Sequence, residues 1–392
     1  MKKRLPISIA YFAHPDSVHD CKWINHFAKR YKVILFCPVN KKGQQFIWLN
    51  KGIKVFSILP MFSALNFVKR NKTKRQIKQI LEQEKITILH SMYAIPNALY
   101  ADLVAENNHV ITTRGSDILV EYSNTFQNPK TIQERISFPL MSLFLEKALH
   151  NSRIVTSTSL KQKKIIEKIL HNKDKAYLVR TGVDTGKFDI VADNNKNTSN
   201  EFVIFSPRSM KPIYNIDLLV KAVAHFIENN NLENKKITLK IINDRTNDYT
   251  DYILDLVSKK PFLDFVKVLP RMNGDEMIKE YNNSNLVVMI PKSDGTPVSA
   301  IETMLLKKPL ILGALDYDED LFNENTVWKA KDFSIKEISN TIKEVYNTPE
   351  LAAQKIESAY TEAKQKANLD TSLETLHNFY QEVIFENETS PV

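Results

Sequence analysis

One stretch of the chain places phosphate- and hydroxyl-binding chemistry at a single reversal. The apolar run 286–290 stops at Pro291, a short loop carries Asp294 and Gly295, and Pro297 opens a helical pattern that holds Glu302. A helix start after a strand presents unpaired backbone N–H groups and the positive end of the helix dipole, which suits a phosphate. Proline is tolerated in that first turn because its missing N–H would have no partner there. Gly295 lets a ligand come close to the backbone, since no side chain intervenes. Glu302 lies about one and a half turns up the helix, where a carboxylate can accept hydrogen bonds from a pair of hydroxyls. A capped helix with an exposed glutamate would show the same residues, so the segment needs support from the elements around it.

Those elements alternate along the chain. Strand-like runs are predicted at 7–12, 31–37, 53–59, 86–91, 110–113, 154–157 and 177–181, then at 202–206, 237–242, 265–269, 286–290 and 310–313. Helical patterns separate most of them. In 18–30, Trp23, Ile24 and Phe27 fall on one face, and Ser159 and Gln162 have the spacing of a capping box. Further helices are predicted at 216–228, 274–283 and 297–306, and the chain from about Ser334 onward reads as helical. Near-continuous apolar strands separated by helices imply parallel sheets covered on both faces. Two such series make two doubly wound α/β domains, with the polar, patternless stretch 191–200 as the linker. Ligands of such sheets sit at the carboxyl ends of strands, so the residues just after each strand are the ones to test.

Composition excludes several classes. The 392 residues include only 8 glycines, where ordinary usage would give roughly 27. No G-x-G-x-x-G fingerprint or G-x-x-x-x-G-K-[ST] phosphate loop is present. Gly182 to Lys187 imitates the latter but is one residue short, with Phe188 where the hydroxyl belongs. Cys21 and Cys37 lack C-x-x-C spacing, which argues against a disulfide scaffold or zinc module and suits a reducing compartment. No apolar run reaches the roughly 18 residues of a membrane span. The start of the chain reads as a first buried strand rather than a signal peptide, since Pro6 breaks its apolar stretch and His14 and Asp16 follow. These features point to a cytoplasmic protein.

Charge is unevenly distributed. Residues 1–200 hold 32 Lys and Arg against 15 Asp and Glu, and residues 201–392 hold 22 against 30. The basic half should face something anionic. Its densest segment, with Lys69, Arg70, Lys72, Lys74, Arg75 and Lys78, lies in a predicted helix. A solvated helix face would look the same; the functional readings are an anionic membrane surface or nucleic acid. No nucleic-acid-binding motif accompanies it, so no nucleic-acid partner is expected.

Four segments, in order, resemble a known family. Asp294 and Glu302, in a D-x7-E spacing followed by Pro309, resemble the E-x7-E element of retaining GT-B glycosyltransferases of family 4. Thr112 to Asp117 is similar to that family's T-x-H-G-x-D segment, and Thr181 to Phe188 to its N-G-V-D-x-x-x-F segment. Phe205 to Arg208, followed by Asn215 and Asp217, resembles the segment G-R-L…K-G-x-D-x-L that opens the second domain. The resemblance spans almost the whole chain and implies a GT-B fold, two Rossmann-like domains facing across a cleft, using a nucleotide-sugar as substrate with no cofactor and no required metal. It also implies the roles. Asp294 would bind donor-sugar hydroxyls, Glu302 the ribose hydroxyls, and the segment Gly295, Thr296, Pro297 and Val298 the diphosphate, through its amides except at Pro297. Arg208 would neutralise charge on the departing nucleoside diphosphate, its fork meeting phosphate oxygens bidentately. Gly115 and Asp117 would border the sugar from the first domain.

The departures from the family are specific. Asp294 is one methylene shorter than the usual glutamate. The family lysine after the arginine falls at Ile213 or Tyr214, leaving Lys211 as the nearest cation. Arg114 replaces the usual histidine, where it could bind phosphate or a carboxylated acceptor. The first-loop glycines are absent, so Ser17 and His19 are candidates to face the cleft, and His90, near a strand end, is a further candidate. The acidic cluster Asp316, Asp318 and Asp320 could hold Mg²⁺, but it lies beyond the proposed donor site and is read as a solvated loop.

The expected organisation is an acceptor-side domain at 1–190, the linker 191–200, a donor domain at 201–365 and a final helical segment 366–392 crossing back to the first domain. The expected reaction is retaining transfer of a sugar from a nucleotide diphosphate, a UDP-sugar slightly favoured, to a glycan or lipid-linked glycan acceptor. Its setting would be bacterial-type surface polysaccharide assembly at the inner face of the cytoplasmic membrane. The alternatives are a nucleotide-sugar epimerase on the same fold and a noncatalytic basic protein binding nucleic acid or a membrane surface.

Overall fold

A computed structural model of the chain describes residues 6–39, 46–189, 200–232 and 235–389. It divides into two compact units, one comprising 1–181 with 370–392 and the other 182–369. In the first unit seven parallel strands are formed by Ser8–Phe12 (β1), Lys32–Pro38 (β2), Lys54–Leu59 (β3), Ile88–Met92 (β4), His109–Thr113 (β5), Ile154–Ser157 (β6) and Ala176–Leu178 (β7). Their order is β3-β2-β1-β4-β5-β6-β7. The interior strands β1, β4, β5 and β6 are buried at every position, as strands must be when helices cover both faces. The helix Leu369–Thr389 contributes to this unit from Asp370 on. There the Tyr380 hydroxyl lies 2.9 Å from that of Tyr11 and 2.5 Å from His90 Nδ1.

In the second unit six parallel strands are formed by Glu201–Phe205 (β8), Lys236–Asn243 (β9), Val266–Pro270 (β10), Leu286–Met289 (β11), Leu310–Leu312 (β12) and Trp328–Lys329 (β13), in the order β10-β9-β8-β11-β12-β13. The helix Ile216–Glu228 shows why the layers close. Ile216, Leu219, Val220, Val223 and Phe226 recur at three- and four-residue spacing and are buried against the sheet. Each such side chain contributes about 1.5–3 kcal/mol on burial. In both sheets the chain reverses its direction of travel once, at β1/β4 and at β8/β11, and these switch points are where an open α/β sheet gathers loops around a ligand.

The division between units differs from the expected domain end at 190. Val183 and Phe188 are buried in the second unit's core, and Val183 pairs with the returning chain. Its N–H donates to Ala367 O at 2.9 Å and its carbonyl accepts from Leu369 N at 3.0 Å. The linker reading of 191–200 lies outside the described residues except at Asn200. At this crossing Gly182 is required twice over, by its φ of +74° and because a Cβ would come within 2.6 Å of Leu369 Cα. Gly182→Ala should therefore cost about 1–3 kcal/mol, read as a lower Tm in thermal unfolding; an unchanged Tm would contradict the crossing. The capping box at Ser159 is half-formed. Ser159 accepts from Gln162 N at 3.3 Å, but the Gln162 amide accepts from the Thr113 hydroxyl at 2.8 Å and donates to Thr158 at 3.2 Å, tying its helix to the end of β5.

Candidate active site

The switch point of the second sheet brings together residues 86 positions apart in sequence. Arg208, just beyond β8, donates from Nη2 to Asp294 Oδ2, beyond β11, at 2.7 Å, and from Nη1 to Ser299 Oγ at 2.9 Å. Its guanidinium stacks on the Tyr214 ring at 4.1 Å. Burial works most strongly against the charge, but Asp294 together with Tyr214, Tyr317 and Tyr281 outweighs it, so Arg208 titrates above the ordinary arginine value. Nε is buried and has no acceptor among the described residues. A buried N–H donor of that kind is costly to leave unmatched, and an oxyanion at the loop would match it.

The loop around Asp294 is more self-contained than its sequence suggests. Asp294 Oδ1 accepts from Gly295 N at 2.9 Å, so that amide serves the loop itself. Pro297 is the N-cap, and the helix runs Val298–Leu305, leaving the Val298 turn open. Thr296 donates to Asp318 Oδ2 at 2.6 Å. Asp318 is itself buried, which corrects the reading of 316–320 as solvated throughout: Asp316 is exposed, while Asp318 holds the loop that carries Thr296. Among the described residues no group of three or more His, Cys, Asp or Glu is arranged to hold a metal ion. Glu302 stands on the same helix within 3.4 Å of the buried Tyr281 hydroxyl. Tyr317 lies close enough to feel the charges of Asp294 and Arg208, and its hydroxyl is buried near the Gly313 backbone. Sequence reasoning missed Tyr317, because an aromatic in an acidic run carries no motif.

Beside Arg208, a cavity of about 900 Å³ opens between the loops after β8 and β9, lined among others by Lys211, Asp244, Arg245, Asn247 and Tyr249. Burial, together with Arg245 and Arg208, pulls the Lys211 amine below its ordinary value, against an opposing pull from Asp244. Arg245 donates from Nε to Ser209 Oγ at 2.8 Å. It too went unnoticed in the sequence, because it follows a strand without any motif. Asp244 lies among these cations, 3.6 Å from Arg245 Nε.

In the first unit the candidate residues separate. Asp117 is fully buried, and its carboxylate accepts from the amides of Ala94 at 2.8 Å, Gly115 at 2.9 Å, Ile118 at 3.0 Å and Arg114 at 3.2 Å. It therefore shapes the loop instead of reaching a ligand, and Gly115, at φ +133°, makes the turn that allows it. The Arg114 side chain is also buried. Its Nε lies 2.9 Å from Asp20 Oδ1, its guanidinium covers the Trp23 ring at 4.3 Å, and Nη1 donates to Thr181 at 3.2 Å. The Arg114 charge is the strongest influence favouring the Asp20 carboxylate, with His14 and the Ser17 hydroxyl adding to it. Burial pushes the Asp20 carboxyl up, and Arg114 opposes that.

The other cleft candidates differ in exposure. His90 is buried and spans Tyr380 and Thr112, the latter at 2.7 Å from Nε2, and burial holds it well below the ordinary histidine range. This removes it from the cleft candidates and makes it part of the core. Ser17 caps the helix Val18–Ala28, accepting from Asp20 N at 3.2 Å, and His19 is exposed beside it. Glu121, absent from the sequence reading, is pushed up to about 7 by burial and by the Asp117 charge.

Known proteins now supply the frame for this geometry. Residues 8–159 match the model described as glycosyl transferase 4-like, and residues 187–362 match that of glycosyl transferases group 1. This chain belongs to the group 1, family 4-like glycosyltransferases. Among curated proteins no sequence matches significantly. Solved structures match over nearly the full length. A glycosyltransferase from Rickettsia africae superposes with a TM-score of 0.74 at 15% identity, covering 97% of this chain and 99% of that one. Sucrose-phosphate synthase from Thermosynechococcus elongatus gives 0.76 at 13% identity, covering 97% and 100%. HepE from Anabaena, solved with UDP-glucose, gives 0.69 at 14% identity, covering 96% and 100%.

For a glycosyltransferase of this group the departures noted in the sequence acquire a physical form. Of the two positions that match the family lysine in sequence, Ile213 and Tyr214, the latter's ring supports the Arg208 guanidinium. The cations nearest to taking over that charge are Lys211 and Arg245. The arginine in place of the family histidine is spent on Asp20.

Proposed function

We propose that this glycosyltransferase moves a sugar, with retention at the anomeric carbon, from a nucleotide diphosphate to a glycan or lipid-linked glycan. The observation that carries this reading is Arg208: charged, at the switch point, fixed by Asp294, Ser299 and Tyr214, with its buried Nε turned to no acceptor among the described residues. In the step itself the bond from the anomeric carbon to the donor's phosphate oxygen breaks, and its electron pair stays on that oxygen. Arg208, with Lys211 beside it, offsets the charge that develops there. The acceptor oxygen bonds to the anomeric carbon from the same face, and its proton passes to the departing phosphate. Asp294 would orient the sugar hydroxyls and Glu302 those of the ribose. The HepE structures with UDP and with UDP-glucose support a UDP-sugar as donor.

On the acceptor side, the basic first half supports an anionic, lipid-linked glycan precursor met at the inner face of the cytoplasmic membrane, in surface polysaccharide assembly. Among the described residues no helix is long and apolar enough to cross a membrane, so attachment in this reading is peripheral. The epimerase alternative needs acid and base groups around the sugar, and the engagement of His90 and Arg114 elsewhere gives it no support.

A thermal-shift screen across UDP-, GDP- and ADP-sugars tests the reading. One class, expected to be UDP-sugars, should raise the Tm, and Glu302→Ala should shrink that rise through loss of the ribose contact. No shift with any nucleotide-sugar would remove the transferase reading.

A further inference from the structure

The densest basic segment lies on the helix Phe67–Glu84, and the structure adds an apolar feature at its start that the charge pattern did not show. Met61 (88% exposed), Leu65, Phe67 and Val68 (78% exposed) project outward within eight residues. Their exposure is built, because the segment that carries them is held down. Phe62 is buried edge-on against Tyr100 and Phe144. Arg70 donates to the carbonyls of Ser63, at 2.8 Å, and Ala64, and lies over the Phe144 ring at 5.0 Å. Asn66 caps the helix by accepting from Lys69 N at 2.9 Å. Arg70 thus differs from its basic neighbours: it fastens the apolar tip in place of facing a partner.

The remaining cations face out. Lys69, Lys72, Lys74, Arg75 and Lys78 are exposed, and no Asp or Glu occurs between Phe67 and Leu81. Val68, Lys72 and Arg75 share one side of the helix, and with Phe67 they line a groove of about 420 Å³. A surface with a rigid apolar tip and an unbroken cationic flank matches a sheet of anionic headgroups over hydrocarbon in both charge and depth.

We infer that the segment Met61–Arg75 is a bilayer-docking wedge, inserting Met61, Leu65, Phe67 and Val68 below anionic phospholipid headgroups that Lys72 and Arg75 bind. This deepens, and rests on, the proposed membrane setting of the acceptor, while its geometry is independent of the donor site. The two parts of the wedge act differently: the cations set the attraction and are screened by salt, whereas the apolar tip holds on after the charges are screened.

Flotation of the full chain with vesicles of phosphatidylglycerol and phosphatidylcholine, against phosphatidylcholine alone, tests this. The wild type should float with the anionic vesicles, and a fraction should persist in high salt. Lys72→Gln with Arg75→Gln should weaken low-salt binding about 30-fold, at about fivefold per cation. Met61→Ser with Val68→Ser should keep low-salt binding and lose the salt-resistant fraction. Flotation that is absent, or unaffected by either pair, would overturn the wedge. So would a loss of oligomeric mass in the serine variant, which would make a second copy of the chain the occupant. Thermal shifts with the nucleotide-sugar, run on the same variants, separate the two readings: retained shifts with failed flotation remove the wedge alone, and absent shifts remove the donor reading.

Discussion

Arg208→Ala is expected to lower kcat by about 10²–10³-fold, the effect of removing one preorganised partner of a developing anion. The size follows from where the charge sits. Arg208 is largely shielded from solvent, ion-paired at 2.7 Å and backed by an aromatic ring, so it needs no reorganisation when negative charge appears on the leaving phosphate. Lys211 stands nearby but carries a single point charge without the paired donors of the guanidinium, so it should restore only part of the lost rate. Arg208→Lys is the sharper variant. It keeps the charge and loses the fork that meets Asp294 and Ser299 together, so it should recover less than a tenth of the activity. The measurement is steady-state kinetics with the donor found by thermal shift, alongside unfolding to establish that each variant folds. An alanine variant with wild-type kcat would exclude Arg208 from the transition state.

Arg114→Ala should destabilise the first unit by about 3–5 kcal/mol, because it strands the Asp20 carboxylate in the core. Asp20 is fully buried, and the Arg114 charge is the largest influence favouring its ionised form, so Arg114 is its principal compensation. At about 2–4 °C per kcal/mol for a unit of this size, the loss should appear as a Tm lower by roughly 10 °C. Asp20→Asn combined with Arg114→Gln should recover more than half of it, since an unpaired charge costs more than an unpaired amide. The pH dependence has a definite sign. Burial raises the Asp20 pKa, and removing Arg114 raises it further, so the folded variant binds this proton more tightly than the unfolded chain. Its deficit relative to wild type should therefore grow as pH rises from the wild type's folded Asp20 value toward the variant's higher one, and be smaller at acid pH than at neutral pH. A single variant with wild-type Tm would mean that the pair is not buried as described.

Much of the fold was legible in the residues. The strand runs of both sheets could be read because a parallel strand covered on both faces must be apolar at nearly every position, and such runs stand out between helices of 3.6-residue period. The strand Trp328–Lys329 escaped because two residues carry no periodicity. The division of the compact units at 181/182 was not legible for a related reason. Val183 and Phe188 look like the tail of the first series, and only the pairing of Val183 with Ala367 and Leu369 assigns them to the second.

The site divides along the same line. By itself the sequence determined the residue types at the strand ends, the D-x7-E spacing and the uneven charge, because these are local properties or sums over the chain. The tertiary structure decided which of those groups are available. Asp117, Arg114 and His90 have the chemistry of a site, yet each is occupied by a partner far from it in sequence, at distances of 2.5–2.9 Å. Arg208 and Asp294 meet only because β8 and β11 are neighbours at the switch point. The apolar tip beside the basic helix is exposed only because Phe62 and Arg70 turn inward. Burial and pairing depend on the whole packed unit, so no window of sequence could have supplied them.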